Sequence, residues 1–319
     1  MAGLVHVRLL LPPEDADAAV QLLLHRQGVT NVARFPGAAL DPAGDLVHCD
    51  VAREAANGVI SALQAAGVHQ QGSVSVSHAS LSIGRGVTAA LDDAPGEADS
   101  TVLWAEVAAV VERGGRPSPL YFTYFVVAAL IATAGVLTDS PILIVGAMVV
   151  GPEYGPIAAM SWAIQQRRLR AYLAAAITGA VGSAAAVVAA GGLTLVLRLS
   201  DRIPDGFFLG GQTNSGFITH PDIYSAVVAS AAAVAGVLSL AYAHSGTLVG
   251  VLVSVTTIPA IAAMGIGAAV GDWHGAWGAF GQLVVNIGCL VVVGAITLAL
   301  LRRWTPGTDT LTAAPPLPG

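Results

Sequence analysis

The chain has no lysine, so all 14 basic side chains are arginines. Charge of either sign is scarce, at 11% of 319 residues, where soluble domains carry about 25%. The net charge of −6 leaves no basic surface of the kind a nucleic-acid partner requires. Only Cys49 and Cys289 represent cysteine, one in an expected soluble strand and one in an expected membrane helix, with no disulfide, metal or redox spacing between them. No Walker loop or G-x-G-x-x-G occurs. The apolar stretches hold no paired carboxylates, metal-spaced histidines or Ser-His-Asp grouping, which argues against an intramembrane enzyme. A cleavable leader is not expected, because Leu9-Leu10-Leu11 is short and runs into Pro-Pro-Glu-Asp-Ala-Asp. Hydrophobic residues are abundant, at 55%. Most acids lie in residues 1–119, and long uncharged blocks follow from Leu120 to Leu301. The composition is that of a membrane protein.

Residues 1–80 read as a small α+β unit. Leu4–Leu11 alternates as a strand, with Val5, Val7 and Leu9 on one face. A helix over Glu14–Gln27, closed by Gly28, leads to a strand over Val29–Phe35 and a loop over Pro36–Gly44. A strand over Asp45–Val51, a helix over Arg53–Ala66 and a strand over Ser73–His78 complete β-α-β-β-α-β, the order of the ferredoxin-like split unit. The first strand would then lie between the third and fourth, gathering His6, Arg8, His48, Asp50, Ser75 and Ser77 on one sheet face. That face reads as a small-ligand or nucleotide-phosphate site, as a subunit contact, or as a solvated face of an antiparallel sheet covered on one side only. No resident cofactor or metal is implied. Leu81–Ser100 reads as a polar linker, and Thr101–Arg113 as an amphipathic helix that lies on the membrane or packs on the soluble domain.

Six apolar runs follow: Leu120–Leu137, Ser140–Ile164, Ala171–Leu197, Ile223–Ala243, Gly246–Val270 and Gly275–Leu301. Each is long enough to cross a bilayer, which takes about 20 residues. Arg113, Arg116, Arg167, Arg168, Arg170, Arg302 and Arg303 flank one side, and only Arg198 and Arg202 the other. The positive-inside rule then places the N-terminal domain and both termini in the cytoplasm of a bacterial inner membrane. The tail from Thr305 reads as disordered.

The second run breaks the rules of a spanning helix at its middle. Pro152 and Pro156 remove backbone donors, and Gly151 and Gly155 loosen the chain beside them. Glu153 places a carboxyl group at mid-membrane depth, where a charge costs about 2.5–3.5 kcal/mol. Irregular backbone survives there only inside protein or along a wet cavity. The expected structure is a broken helix with a polar site; the plainer alternative is a kinked packing helix with a protonated, hydrogen-bonded glutamate.

The runs form two sets of three related by a shift of 104 residues. Shifting 171–197 by 104 gives 275–301, and Ile157-Ala-Ala-Met160 matches Ile261-Ala-Ala-Met264. A repeat of three spans must be inverted, since an odd number of crossings ends on the opposite side. Paired interrupted spans in inverted repeats point to a transporter with its site between two broken helices. In the fifth run Thr256 and Thr257 occupy the slots of Pro152 and Glu153, followed by Pro259. Hydroxyls there would satisfy freed carbonyls or bind ligand, unless they merely back-bond within the helix. Asn286 in the sixth run is a further polar group, for ligand or for gluing helices.

The stretch Thr138–Ile157, with Asp139-Ser-Pro141, Gly146-Ala-Met148 and Pro152 to Pro156, resembles the bacterial and archaeal membrane family catalogued as domain of unknown function 389. The resemblance runs from about Trp104 to Leu301 and includes Pro259 and Asn286. It implies a membrane location and a fold, but no established activity. Glu153 stands where members of the family usually carry an uncharged residue, and Ile258-Pro259 where a Pro-Pro pair is common.

These features describe a transporter or channel for a small solute or ion, with a ligand-sensing cytoplasmic domain. Gly151, Pro152, Glu153, Gly155, Pro156, Thr256, Thr257, Pro259 and Asn286 would form its site. The alternative is a non-transporting receptor or scaffold whose cytoplasmic domain binds a metabolite such as a nucleotide through His6, Arg8, His48, Asp50 and Ser75. Lipid and further copies of the chain are the expected partners.

Overall fold

The computed structural model describes residues 3–79, 82–94, 102–204, 206–211, 218, 222–242 and 257–304. Its contacts divide it into one unit that runs to Glu106 and a second over Val107–Arg303.

The first unit contains β1 (Leu4–Leu11), α1 (Pro13–Leu24), β2 (Val29–Leu40), β3 (Ala43–Ala52), α2 (Arg53–Ala65), the single-turn α3 (Val68–Gln71) and β4 (Ser73–His78). The sheet order is β2-β3-β1-β4, antiparallel throughout, so β1 lies between β3 and β4. Alternation in β1 does what a half-buried strand requires. Val5, Val7, Leu9 and Leu11 are buried with Ala16, Ala19 and Leu23 of α1 and Val59 and Leu63 of α2. Each such valine or leucine contributes about 1.5–3 kcal/mol by leaving water.

Two expectations are corrected here. The loop expected over Pro36–Gly44 is the tip of a long hairpin, with β2 continuing to Leu40 through register shifts. Pro36 is tolerated because β2 is an edge strand, where a missing donor breaks no ladder. The polar linker expected over Leu81–Ser100 contains a helix, α4 (Arg85–Asp93), whose Val87 and Ala90 are buried. Val87 packs with Leu4 and Ala52, with Leu91 beside them. The spacing of Val87, Ala90 and Leu91 is helical, but a stripe this narrow is easily lost among Gly, Asp and Ala.

Beyond it, α5 (Trp104–Gly114) is led in by Asn57 of α2. The Asn57 amide donates to Val102 O at 2.7 Å, and its Oδ1 accepts from the Trp104 N–H at 3.3 Å. The start of this amphipathic segment therefore packs on the N-terminal unit.

The second unit holds α6 (Pro119–Leu137), α7 (Pro141–Val150), α8 (Tyr154–Gln165), α9 (Leu169–Leu199), α10 (Ile223–Tyr242), α11 (Ile258–Val270) and α12 (Trp273–Trp304). Four helices, α6, α9, α10 and α12, are long and apolar enough to cross a membrane. The pair α7 and α8 passes the same test together with a 56° bend, giving up to five spans among the described residues. Of the expected fifth run, Gly246–Val270, only the part from Thr257 is described, as α11.

Helix boundaries and contacts recur at the sequence offset. Shifting α6 by 104 gives 223–241, against Ile223–Tyr242 for α10; α8 gives 258–269 and α9 gives 273–303, against α11 and α12. Arg167 after α8 and Gly271 after α11 both have positive φ, +55° and +86°. Ser161 on α8 donates to Val291 O of α12 at 3.2 Å. In the other half Gly265 on α11 lies so close to Val187 O of α9 that a Cβ would sit 2.5 Å from it. Arg198 at the end of α9 donates to Ala269 O at 3.1 Å, and Arg302 on α12 donates to Gln165 Oε1 at 2.8 Å. In each case the second contact is the first with both residues moved by 104, one forward and one back.

Candidate functional site

The chain leaves helical geometry where the prolines require it. α7 ends at Val150, Gly151 is extended (φ −61°, ψ 131°), and α8 begins at Tyr154 with Glu153 as its N-cap. Proline cannot continue the hydrogen-bond ladder of α7, whereas at the start of a helix its missing N–H costs nothing. Glu153 is 5% exposed. Its carboxylate folds back over Gly151, where a Cβ would come 2.4 Å from Glu153 Oε2 and 2.9 Å from Ile258 Cγ1. Glycine at 151 is what makes room for the acid. Gly155 serves differently, bringing its backbone against that of Gly114, whose carbonyl oxygen a Cβ would approach to 2.4 Å.

The Thr257 hydroxyl donates to Glu153 Oε1 at 3.2 Å, and both groups are buried. Thr257 is the N-cap of α11. Two helix N-termini therefore converge on one carboxylate. Each carries an effective charge of roughly +0.5, so together they offset about one negative charge.

Beside this pair lies a cavity of about 640 Å³, lined from α6, α8, α9, α11 and α12. Its polar groups include Glu153, Thr257, Tyr121, Tyr172 and Ser183; most of the remainder is apolar, as in Phe125, Met160, Met264 and Leu283. The Tyr121 hydroxyl is buried and has no hydrogen-bond partner among the described residues. Lining positions come in pairs at the 104 offset, Glu153 with Thr257, Ile157 with Ile261, Met160 with Met264 and Gly179 with Leu283.

Of the expected site residues, Glu153, Pro156 and Thr257 line the cavity. Gly151, Pro152 and Gly155 shape the break without lining it. Pro259 sits in the first turn of α11 and is buried. Asn286 is wholly buried in α12 and is not among the residues that line the cavity. Thr256 lies outside the described residues. Tyr121 was not legible as a site residue, since a tyrosine at the start of a span is an ordinary interfacial anchor.

On the N-terminal sheet the expected face divides. His6, His48 and Asp50 come together: His6 Nδ1 is hydrogen-bonded to Asp50 Oδ1, and the His6 and His48 rings are 5.5 Å apart between centroids. Arg8 and Ser75 lie exposed on the same face, Arg8 opposite both His48 and Ser75 in register.

The apolar helices and the buried site define a helical membrane protein with an N-terminal α+β domain. Residues 148–292 match the family described as "Domain of unknown function (DUF389)". The matched segment contains the break, Glu153, Thr257 and Asn286. No curated protein and no solved structure matches the chain.

Proposed function

We propose that the membrane unit is a secondary transporter, built from two inverted three-span halves, that moves a small solute together with a proton held by Glu153. The carrying observation is the buried Thr257–Glu153 hydrogen bond, which joins two N-caps 104 residues apart beside a large cavity. Reciprocal contacts, in which residue i of one half meets j of the other and their counterparts meet in return, are the signature of a twofold relation. The paired contacts of Ser161 and Gly265, and of Arg302 and Arg198, support that reading. Three spans per half make the relation an inversion, with the site at the meeting of two helix starts. The arginine count supports cytoplasmic termini.

The chemistry of the site favours a proton over a metal cation. One carboxylate and a few hydroxyls fall short of the six to eight oxygens of a calcium site, and the helix N-termini already offset the acid. Protonation of Glu153 would leave two positive helix ends facing an apolar cavity. That environment suits a solute with an anionic group on an apolar body, such as a short-chain carboxylate. The test is flux of carboxylates, amines and alkali cations into proteoliposomes under an imposed proton gradient, with Glu153→Gln as control. Carboxylate-selective, gradient-dependent flux that the variant loses supports the proposal; alkali-cation flux in its place would reject the solute class.

A further inference from the structure

His6, His48 and Asp50 place two imidazoles and a carboxylate on adjacent strands, with one ligand atom from each within 4.8 Å of the others. Register explains the gathering. His6 pairs with Asp50 across β1 and β3, and Arg8 with His48, so the two histidines are diagonal neighbours on one face. No local spacing in the sequence betrays this, because the ligands come from strands about forty residues apart.

A hydrogen-bonded His6–Asp50 pair by itself would be ordinary. Two further observations go beyond it. His48 has no hydrogen-bond partner among the described residues, yet it is held against His6 at 5.5 Å; an ion pair has no need of a second imidazole, whereas a ligand set does. Asp50 is 6% exposed, and its outer oxygen is held from behind by the Asn31 amide at 2.7 Å. Asn31 takes up φ +54° at a register shift in β2. Asn31 thus fixes one carboxylate oxygen, while the other, hydrogen-bonded to His6 Nδ1, faces the imidazoles; a ligating carboxylate held in this way is the usual outer-shell arrangement of a metal site.

We propose that His6, His48 and Asp50 bind a divalent transition-metal ion of the zinc class. Imidazole with carboxylate suits zinc, nickel and copper better than magnesium or calcium. Three protein ligands leave the fourth tetrahedral position toward solvent, since the His6 side chain is 35% exposed. The arrangement suits a site that exchanges its ion or takes a small external ligand.

The experiment uses the full-length protein in detergent, produced without a histidine tag. It is titrated with Co²⁺, followed by its visible d–d absorption, and then with Zn²⁺ in competition. One Co²⁺ per chain, displaced by Zn²⁺, is expected. His48→Gln leaves the His6–Asp50 pair intact and so preserves the fold; it should reduce binding to the level of the His6→Gln/His48→Gln double variant. Asn31→Ala, which touches no ligand atom, should weaken binding by about 10–100-fold. The proposal is overturned by the absence of saturable binding in the parent protein, or by a parent-like isotherm for folded His48→Gln.

Discussion

The hydrogen bond between Thr257 and Glu153 can be tested by a double-mutant cycle in Thr257→Val and Glu153→Met. Valine matches threonine in shape, so its substitution removes a hydroxyl with almost no change of volume. Methionine keeps the unbranched length of glutamate and deletes its polarity. A hydrogen bond to a charged group contributes about 1.5–3 kcal/mol in water-soluble proteins. At 3.2 Å this one is long, and membrane cycles average about 0.6 with a maximum near 1.7 kcal/mol. The expected coupling is therefore about 0.6–1.7 kcal/mol. Thr257→Val should be the costlier single change, because it leaves a buried carboxylate short of a donor, while a lone N-cap threonine hydroxyl can turn to accept from a backbone N–H of its own first turn. Reversible unfolding in mixed micelles, followed by circular dichroism, supplies the four stabilities. Additivity within about 0.3–0.5 kcal/mol is what independent sites show, and it would refute the contact between the two helix starts.

Other predictions follow from packing and charge. Gly265→Ala drives a Cβ to 2.5 Å from the Val187 backbone oxygen and should cost about 1–3 kcal/mol. Gly146→Ala meets nothing within 4 Å and should be neutral or gain up to about 1 kcal/mol of helix propensity, as the same unfolding assay would read. Asp45 is held below the usual carboxylate range, first by the Gly37 N–H and then by Arg34. A carboxyl lowered in the folded state stabilises above its unfolded pKa of about 3.9 and loses that contribution as pH falls through the folded value. Asp45→Asn should therefore flatten the acid limb of N-terminal-domain stability below about pH 4, measured by unfolding against pH. Burial, and then the charge of Asp50, pushes the Cys49 thiol up to about 12. Cys49 should resist maleimide at neutral pH in the folded protein and react once it is denatured, as mass spectrometry would show.

Much of this arrangement was legible from the residues. Alternation in Leu4–Leu11 gave the central strand and its buried face, because a strand with one covered side writes a period of two. Gly151, Pro152 and Pro156 announced the break, since proline is incompatible with a continuous ladder whatever surrounds it. The offset of 104 made Thr257 the counterpart of Glu153 before any contact was known. What was not legible depends on tertiary placement. Tyr121 enters the site only through the packing of α6 on its neighbours. The gathering of His6 and His48 with Asp50 on one face followed from the strand order, but their approach to within ligand distance did not. Asn286 was assigned to the site by its polarity, yet burial within a helix bundle serves equally for packing.

In the proposed transport cycle the Glu153 carboxylate carries the transported proton. Intraliposomal pH, recorded with a trapped dye while a short-chain carboxylate is added outside, tests it most directly. Acidification beyond that of protein-free vesicles, abolished by Glu153→Gln in a folded protein, is the result this account requires. Acidification of equal rate in the parent and in Glu153→Gln would contradict it.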